Sequence, residues 1–471
     1  MPTTLACEQA VFTSIRTPTG EGYRIIAASR GLKPEEKQTI TRYSPSHDAL
    51  CGGPQGEAPY GAAFYPLPSG RLCVAYSCLA GAEHTGRGGE RVYTYNLVFP
   101  AEDFPSCGYN PFAVLRAMSR AGLAEPQLHP PATLPEVSLE ITEADLSPAG
   151  AELCRAFAAP WRDHCLESLL NARTLVVNLP DRWIETMEAM LIGVPGPMRS
   201  RFSFGAGLKF SVGRCHNLAL LADDPAATRK KLLGRPIAYV DPGDGRAPNP
   251  SASQWVSFVE RHWSRADFTN LLPRTSLAFS DTTPQALERI GRLYNETDAV
   301  SETETGELID LAASHLVEPE DGVEADLAAR LLLKAQTAIT ERFRRATWGV
   351  LQGDWEALGA AWRRGEEGRL FAQPIIETGL RAVAARDPMV AAEAALGLTR
   401  NMPLAAARAG FDDLLDEILN TLAAWIERAP DDRMADVGRL VKRWRAARPA
   451  CGILDRIEHQ CLAGAGIDSR G

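Results

Sequence analysis

Residues 60–99 constrain the fold of this chain more than any other stretch. Two apolar-alternating runs, 60–67 and 71–79, are separated by Pro68, Ser69 and Gly70, and a third run follows at 92–99. Alternation with a period of two, bounded by Pro and Gly, predicts a half-buried β-hairpin and a further strand. Between the second and third runs, residues 81–91 (GAEHTGRGGER) gather Glu83, His84, Arg87, Glu90 and Arg91 among four glycines. Charged groups on a flexible loop over a rigid sheet are a common way to build a recognition surface. These five residues are therefore the candidate binding residues. The competing reading is that the glycines only permit a turn and that Arg87 is solvated.

Around this stretch the first third reads as β-rich. Residues 8–15 and 23–29 form a second hairpin candidate, with Pro18, Gly20 and Gly22 in the connection. A short helix is expected over 33–42, opened by Pro34 with Glu35 and Glu36 in its first turn. A clearer helix spans 110–122. Asn110 caps it, Pro111 takes the first helical position, Phe112, Leu115 and Met118 share a face, and Gly122 ends it. The expected core is Phe64, Leu72, Val74, Tyr76 and Val98 with that helix face.

The run HPPATLP at 129–135 reads as a linker, and a short strand follows at 137–141. Beyond it, a helix ends at 166–171, TLVVNL at 174–179 is a buried-strand run, and 183–192 is an amphipathic helix closed by 193–197. Residues 199–210 and 215–222 look like paired strands. From 253 the chain becomes helical. Asp281 and Thr283 before Pro284 start one helix, and 325–345, 354–363, 391–400, 411–428 and 434–445 carry apolar residues at three- and four-residue spacing. No basic residue lies between Arg292 and Arg330, so the acidic stretch there reads as solvated and mobile. Trp348, Trp355 and Trp362 recur every seven residues, a stripe suited to core packing, with Gly353 interrupting it. No fixed-period repeat supports an α-solenoid. The expected fold class is an α+β N-terminal half followed by an all-α region. Its expected divisions are 1–128 (β-rich), 136–248 (mixed α/β) and 252–471 (helical).

Several function classes are disfavoured. A chain of 471 residues exceeds one ordinary core, so several domains are expected. Its net charge of −9 opposes the phosphate neutralisation that nucleic-acid binding relies on. No apolar run approaches a membrane span and no leader opens the sequence, so a cytoplasmic location is expected. The ten cysteines include no C-x-x-C pair, which predicts reduced structural thiols rather than a disulfide framework or zinc knuckle. P-loop, G-x-S-x-G, H-E-x-x-H and kinase signatures are all missing. No cofactor, metal or catalytic residue is expected, and the chain reads as a non-enzyme.

The sequence offers two thiol–imidazole arrangements. Cys73 and Cys78 are separated by an odd number, so on one strand they face opposite sides and only one can meet His84. In His164–Cys165 and Cys215–His216 the side chains diverge, so a metal site would need both segments to converge with a further ligand. Two alternatives stay open. One is an enzyme using the Cys78/His84 loop or an unrecognised carboxylate site. The other is a regulator that inserts the Arg87 guanidinium into a partner's nucleotide site.

The order of segments carries a resemblance. Residues 12–16, then 20–32 (GEGYRIIAASRGL), 43–45, 65–71 and 91–100 (RVYTYNLVFP) resemble the type-two N-terminal domain of the bacterial GTPase-associated protein 1 family. Residues 194–204 (VPGPMRSRFSF), preceded by the 183–192 helix and followed by 215–222, resemble that family's middle domain. The resemblance implies a non-enzymatic adaptor or scaffold in a GTPase-centred conflict or defence system, working beside a separately encoded GTPase and other components. It supplies no catalytic residue, and residues 253–471 match no segment of the family.

Overall fold

The computed structural model describes residues 3–17, 20–51, 58–83, 88–127, 129–148, 157–179, 182–214, 216–245, 247–277, 279, 281–316, 322–345, 348–401 and 404–464. They form two compact units, Met1–Arg292 and Leu293–Gly471.

The first unit opens with β1 (Thr3–Thr17), β2 (Gly20–Ser29), α1 (Pro34–Tyr43), β3 (Tyr60–Pro66), β4 (Leu72–Ala82) and β5 (Glu90–Phe99). A 3-10 turn at Ala101–Cys107 leads to α2 (Pro111–Arg120), β6 (Thr133–Leu134), β7 (Val137–Ile141) and α3 (Glu143–Leu146). The chain then alternates through α4 (Ala159–Leu170), β8 (Thr174–Asn178), α5 (Trp183–Gly193), α6 (Gly196–Arg199), β9 (Phe204–Ala206), β10 (Leu218–Leu221), α7 (Pro225–Leu232) and β11 (Ile237–Val240). The helices α8 (Gln254–Arg265), α9 (Phe268–Thr275) and α10 (Pro284–Ala299) follow, the last carrying the boundary between units.

All the strands join one sheet in the order β11-β8-β10-β9-β3-β4-β5-β1-β2-β6, with β7 pairing β1. Its β1–β5 half is antiparallel, whereas β8, β9, β10 and β11 run parallel to one another. The two halves meet where β3 pairs antiparallel with β9, Phe64 lying opposite Phe204.

The β3–β4 hairpin closes through Gly70, whose φ of +85° favours glycine, and Leu67 N–H donates to Arg71 O at 2.8 Å. The hairpin is central rather than half-buried, because both faces are covered. Tyr65, Cys73 and Ala75 pack with Leu32, Ile40 and Leu50 on the α1 side. On the other side the Phe64 ring lies 5.3 Å from Phe104 and 5.9 Å from Phe204, and Phe204 stacks on Phe112 at 5.1 Å. Each such ring contributes roughly 1.5–3 kcal/mol by leaving water. Of the expected core, Phe64, Leu72, Val74, Val98, Phe112 and Met118 are buried, while Tyr76 and Leu115 are half-exposed. Asn110 does cap α2, its side chain accepting from Phe112 N–H at 3.0 Å.

The segment read as a linker lies along the sheet. Thr133–Leu134 pairs parallel with β2, and Gln9 Nε2 and Ser29 Oγ both donate to Pro135 O, at 2.6 and 3.1 Å. Pairing there satisfies edge groups of β2 that water would otherwise have to serve.

The second unit contains α11 (Thr305–Ser314), α12 (Val323–Arg345), α13 (Trp348–Trp362), α14 (Glu366–Ala384), α15 (Pro388–Asn401), α16 (Leu404–Ile426), α17 (Met434–Ala447) and α18 (Gly452–Gly464). In its principal packing each helix meets only the next or the next but one. That is the neighbour-to-neighbour pattern of stacked helical repeats, although the sequence shows no period. The acidic stretch is partly helical. Leu308, Ile309, Ala312 and Ala313 bury one face of α11, which leaves its acidic residues to water. Gly353 lies within α13 and does not break it. Trp355 is buried, donating to Ala394 O at 3.2 Å beside Phe343, and Trp362 packs on Phe411 with ring centres 4.7 Å apart. The protein is thus α+β in its N-terminal half and helical thereafter. Among the described residues no helix is long and apolar enough to cross a membrane.

Candidate functional site

The β4–β5 connection carries the candidate binding residues, and its two ends are held from inside. The pairing of β4 with β5 shifts register between Leu79 and Ala82, which frees the chain to leave the ladder. The Glu83 carboxylate is fully buried. Its Oε1 accepts from Ser14 Oγ at 2.7 Å, its Oε2 accepts from the Tyr23 hydroxyl at 2.6 Å, and His47 Nδ1 lies 3.9 Å from Oε2. Tyr23 in turn accepts from Val92 N–H at 3.0 Å. Burial, then the bond to Glu83, pushes the Tyr23 pKa up, so the phenol remains a donor across the neutral range.

At the other end Arg91 turns back. Its Nε donates to Ala80 O at 2.6 Å and its Nη1 to Ser14 O at 3.3 Å. Glu83 N–H donates to Gly89 O at 3.0 Å and closes the base of the loop. Gly88 and Gly89 have φ of +74° and +81°, which explains glycine at both positions. Gly88, Gly89 and Glu90 are exposed. Of the five candidates, Glu83 and Arg91 are therefore inward anchors converging near Ser14, and Glu90 points outward. His84 and Arg87 lie outside the described residues.

Among the described residues Cys73, Cys78 and Cys165 show no activation. Cys73 is fully buried in β4, and its pKa is pushed up to about 12 by burial. Burial also pushes Cys78 up to about 11. Nucleophilic cysteines require the opposite, a stabilised thiolate. Cys165 is fully buried in α4, with burial again raising its pKa. Cys215 lies outside the described residues. Its neighbour His216 is buried, its ring 5.0 Å from that of Tyr43, with neither ring nitrogen hydrogen-bonded. Among the described residues no group of three or more His, Cys, Asp or Glu is placed to hold a metal ion.

Three buried polar junctions were not anticipated. Glu36 and Arg71 join α1 to the hairpin turn. Glu188 on α5 accepts from both Nη atoms of Arg116 at 2.8 Å and from Asn110 Nδ2 at 2.7 Å, which ties α5 to α2. Arg199, buried completely, bonds to backbone and hydroxyl oxygens from three separate segments. Asn110 is readable as a helix cap and Glu36 as a first-turn acid, but neither reading reveals the distant partner. Charged residues in polar runs look solvated until the fold brings distant partners to them.

At the sheet end, then, Glu83 and Arg91 are hydrogen-bonded anchors, with Gly88, Gly89 and Glu90 exposed beside them. No curated protein and no solved structure matches the chain. Residues 6–139 match the model of a family described as GTPase-associated protein 1, N-terminal domain type 2. That span runs from β1 into β7 and includes the loop with both its anchors. The N-terminal part of this chain is thus similar to a GTPase-associated protein 1 N-terminal domain of type 2.

Proposed function

We propose that the protein is a non-catalytic adaptor that docks a separately encoded GTPase through the 83–91 end of its N-terminal sheet, in a bacterial conflict or defence system. The observation that carries this reading is the clamped loop base. Glu83 and Arg91 are held by Ser14, Tyr23 and Ala80, so the two ends of the connection are fixed before a partner arrives and less ordering cost falls on binding. The stacked helices of the second unit support a scaffold role, since such arrays present extended surfaces to proteins. The raised thiol pKa values at Cys73 and Cys78 weigh against a cysteine-dependent enzyme.

Calorimetry of the full chain with candidate GTPases, loaded with GDP or a non-hydrolysable GTP analogue, tests this. A complex weakened by Arg87→Ala by about 1–3 kcal/mol, with unchanged thermal stability, is expected. If Arg87→Ala instead spares affinity and removes an acceleration of GTP turnover, the protein is a regulator acting in trans. Turnover of GTP by the purified chain alone, abolished by a point change within it, would overturn the adaptor reading.

A further inference from the structure

The carboxyl ends of β8, β10 and β11 open onto a crevice of about 790 Å³, within the first unit and distinct from the loop. Its position follows from topology. In the order β11-β8-β10-β9, the chain leaves β8 across β10 to reach β9, and leaves β10 across β8 to reach β11. Right-handed crossovers running in opposite directions depart to opposite faces, and the carboxyl ends of the two neighbouring strands are left uncovered between them. The volume falls in the range of small-molecule sites.

One end of this crevice suits an anion. It holds Arg182 and Thr186, at the start of α5. Arg182 is the N-cap residue, in left-handed conformation, and its side chain does not cap the helix. The first turn of the 11-residue α5 offers N–H groups without intrahelical partners and the positive end of the helix dipole, partly offset by Glu185 in the same turn. The Arg182 side chain has no hydrogen-bond or ion-pair partner among the described residues, while its carbonyl accepts from Thr186 N–H at 3.0 Å. Thr186 is only 3 % exposed. Its hydroxyl makes no hydrogen bond among the described residues, so it is available to a ligand in the crevice.

The other end suits hydrogen-bond donors. Asp241 is already engaged, accepting from Gly243 N–H at 3.1 Å and the Tyr239 hydroxyl at 3.3 Å, with Arg229 3.7 Å away. Asp223 is less satisfied. Its Oδ1 accepts from Asp224 N–H at 2.9 Å, while Oδ2 has no hydrogen bond and lies 3.6 Å from Lys231 Nζ. Asn178 is on the same wall, its Oδ1 accepting from Asp223 N–H at 3.3 Å. Lys231 and Arg229 offset the two carboxylates, so an anionic ligand meets little net repulsion. Trp161 adds a half-exposed indole to the lining.

An anion at one end, N–H donors at the other and a flat body over an indole describe a purine nucleotide. Inorganic phosphate would fill only the Arg182 end, and a free amino acid lacks the flat body. We propose that this crevice binds a purine nucleotide, with phosphate at Arg182, Thr186 and the start of α5 and the base over Trp161 toward Asp223. This site is independent of the adaptor reading.

The test is calorimetry and thermal-shift titration of the full chain with GMP, GDP, AMP, ADP and inorganic phosphate. At least one purine nucleotide should bind about tenfold or more tightly than phosphate and raise the unfolding temperature of the unmodified protein. Arg182→Ala should weaken nucleotide binding about tenfold or more. Trp161→Leu should bring nucleotide and phosphate affinities together, and quenching of tryptophan fluorescence by nucleotide should fall with it. No binding of any nucleotide at millimolar concentration would overturn the proposal. So would equal affinity for phosphate, or binding that both variants leave unchanged.

Discussion

Arg71 Nε donates to Glu36 Oε1 at 2.8 Å, and a second bond runs from its Nη2 to Oε2, so the β3–β4 turn is fastened to the first turn of α1. Ser69 Oγ donates to the same Oε1 at 2.5 Å and Lys33 N–H to Oε2 at 2.7 Å. Burial acts to raise the Glu36 pKa, but the donors of Arg71, Ser69 and Lys33 win and hold it below the usual carboxylate range. A depressed carboxylate contributes stability above its unfolded value and loses it as pH falls below roughly 4.5. Removing one partner strands a buried charge, so Arg71→Ala should cost about 3–5 kcal/mol in urea unfolding at pH 7. Glu36→Gln should lower stability at pH 7 and flatten the acid limb. An acid limb identical to wild type would show that Glu36 carries none of it.

His216 works with the opposite kind of group in a different window. Burial, followed by the nearby Arg214 charge, pulls its pKa from the ordinary 6.5 down to about 3. The folded protein keeps it neutral while the unfolded chain takes up a proton below 6.5. Stability from this group is therefore full above pH 6.5 and declines toward pH 3, by at most about 1.4 kcal/mol per unit. His216→Leu should flatten the stability profile between pH 6.5 and 4.5, a range above the Glu36 window. Urea midpoints across that range measure it, and equal slopes in the two proteins would rule His216 out.

What the residues reveal on their own depends on how local the determining contact is. The 60–79 hairpin and the Asn110 cap were readable because alternation, Gly70 and the Asn110–Phe112 bond all act within a few positions. The pairing of Ala62–Phe64 with Phe204–Ala206 was not readable, since it joins segments whose own patterns are complete without each other. The loop shows the same limit at the scale of single side chains. Glu83 looks exposed beside its glycines, yet its partner Ser14 stands 69 positions away. In the helical unit, α14 was missed because Pro374 sits inside it, although Phe371, Ile375 and Leu380 form a buried face around that proline.

Arg199 offers the sharpest test of such a hidden junction. Its Nε donates to Val194 O at 2.7 Å, and its Nη2 donates to Ile192 O at 2.9 Å and Thr275 Oγ1 at 2.5 Å. Its Nη1 donates to Gly108 O at 3.2 Å. The bonds link the turn before α2, the end of α5 and the last turn of α9, and none of these acceptors is a carboxylate. Burial pulls the Arg199 pKa down to about 9, which still leaves it cationic at neutral pH. Lysine cannot reproduce a planar five-donor fork, so Arg199→Lys should destabilise by about 2–3 kcal/mol, each acceptor left unpaired costing about 1–3. Arg199→Met, which strands every acceptor, should cost more and make the 266–283 stretch more sensitive to protease. The exposed neighbour Arg201 is the control. Its replacement by Ala should change stability by less than about 0.5 kcal/mol. Equal unfolding midpoints for Arg199→Met and Arg201→Ala would mean that the junction is not holding these segments together.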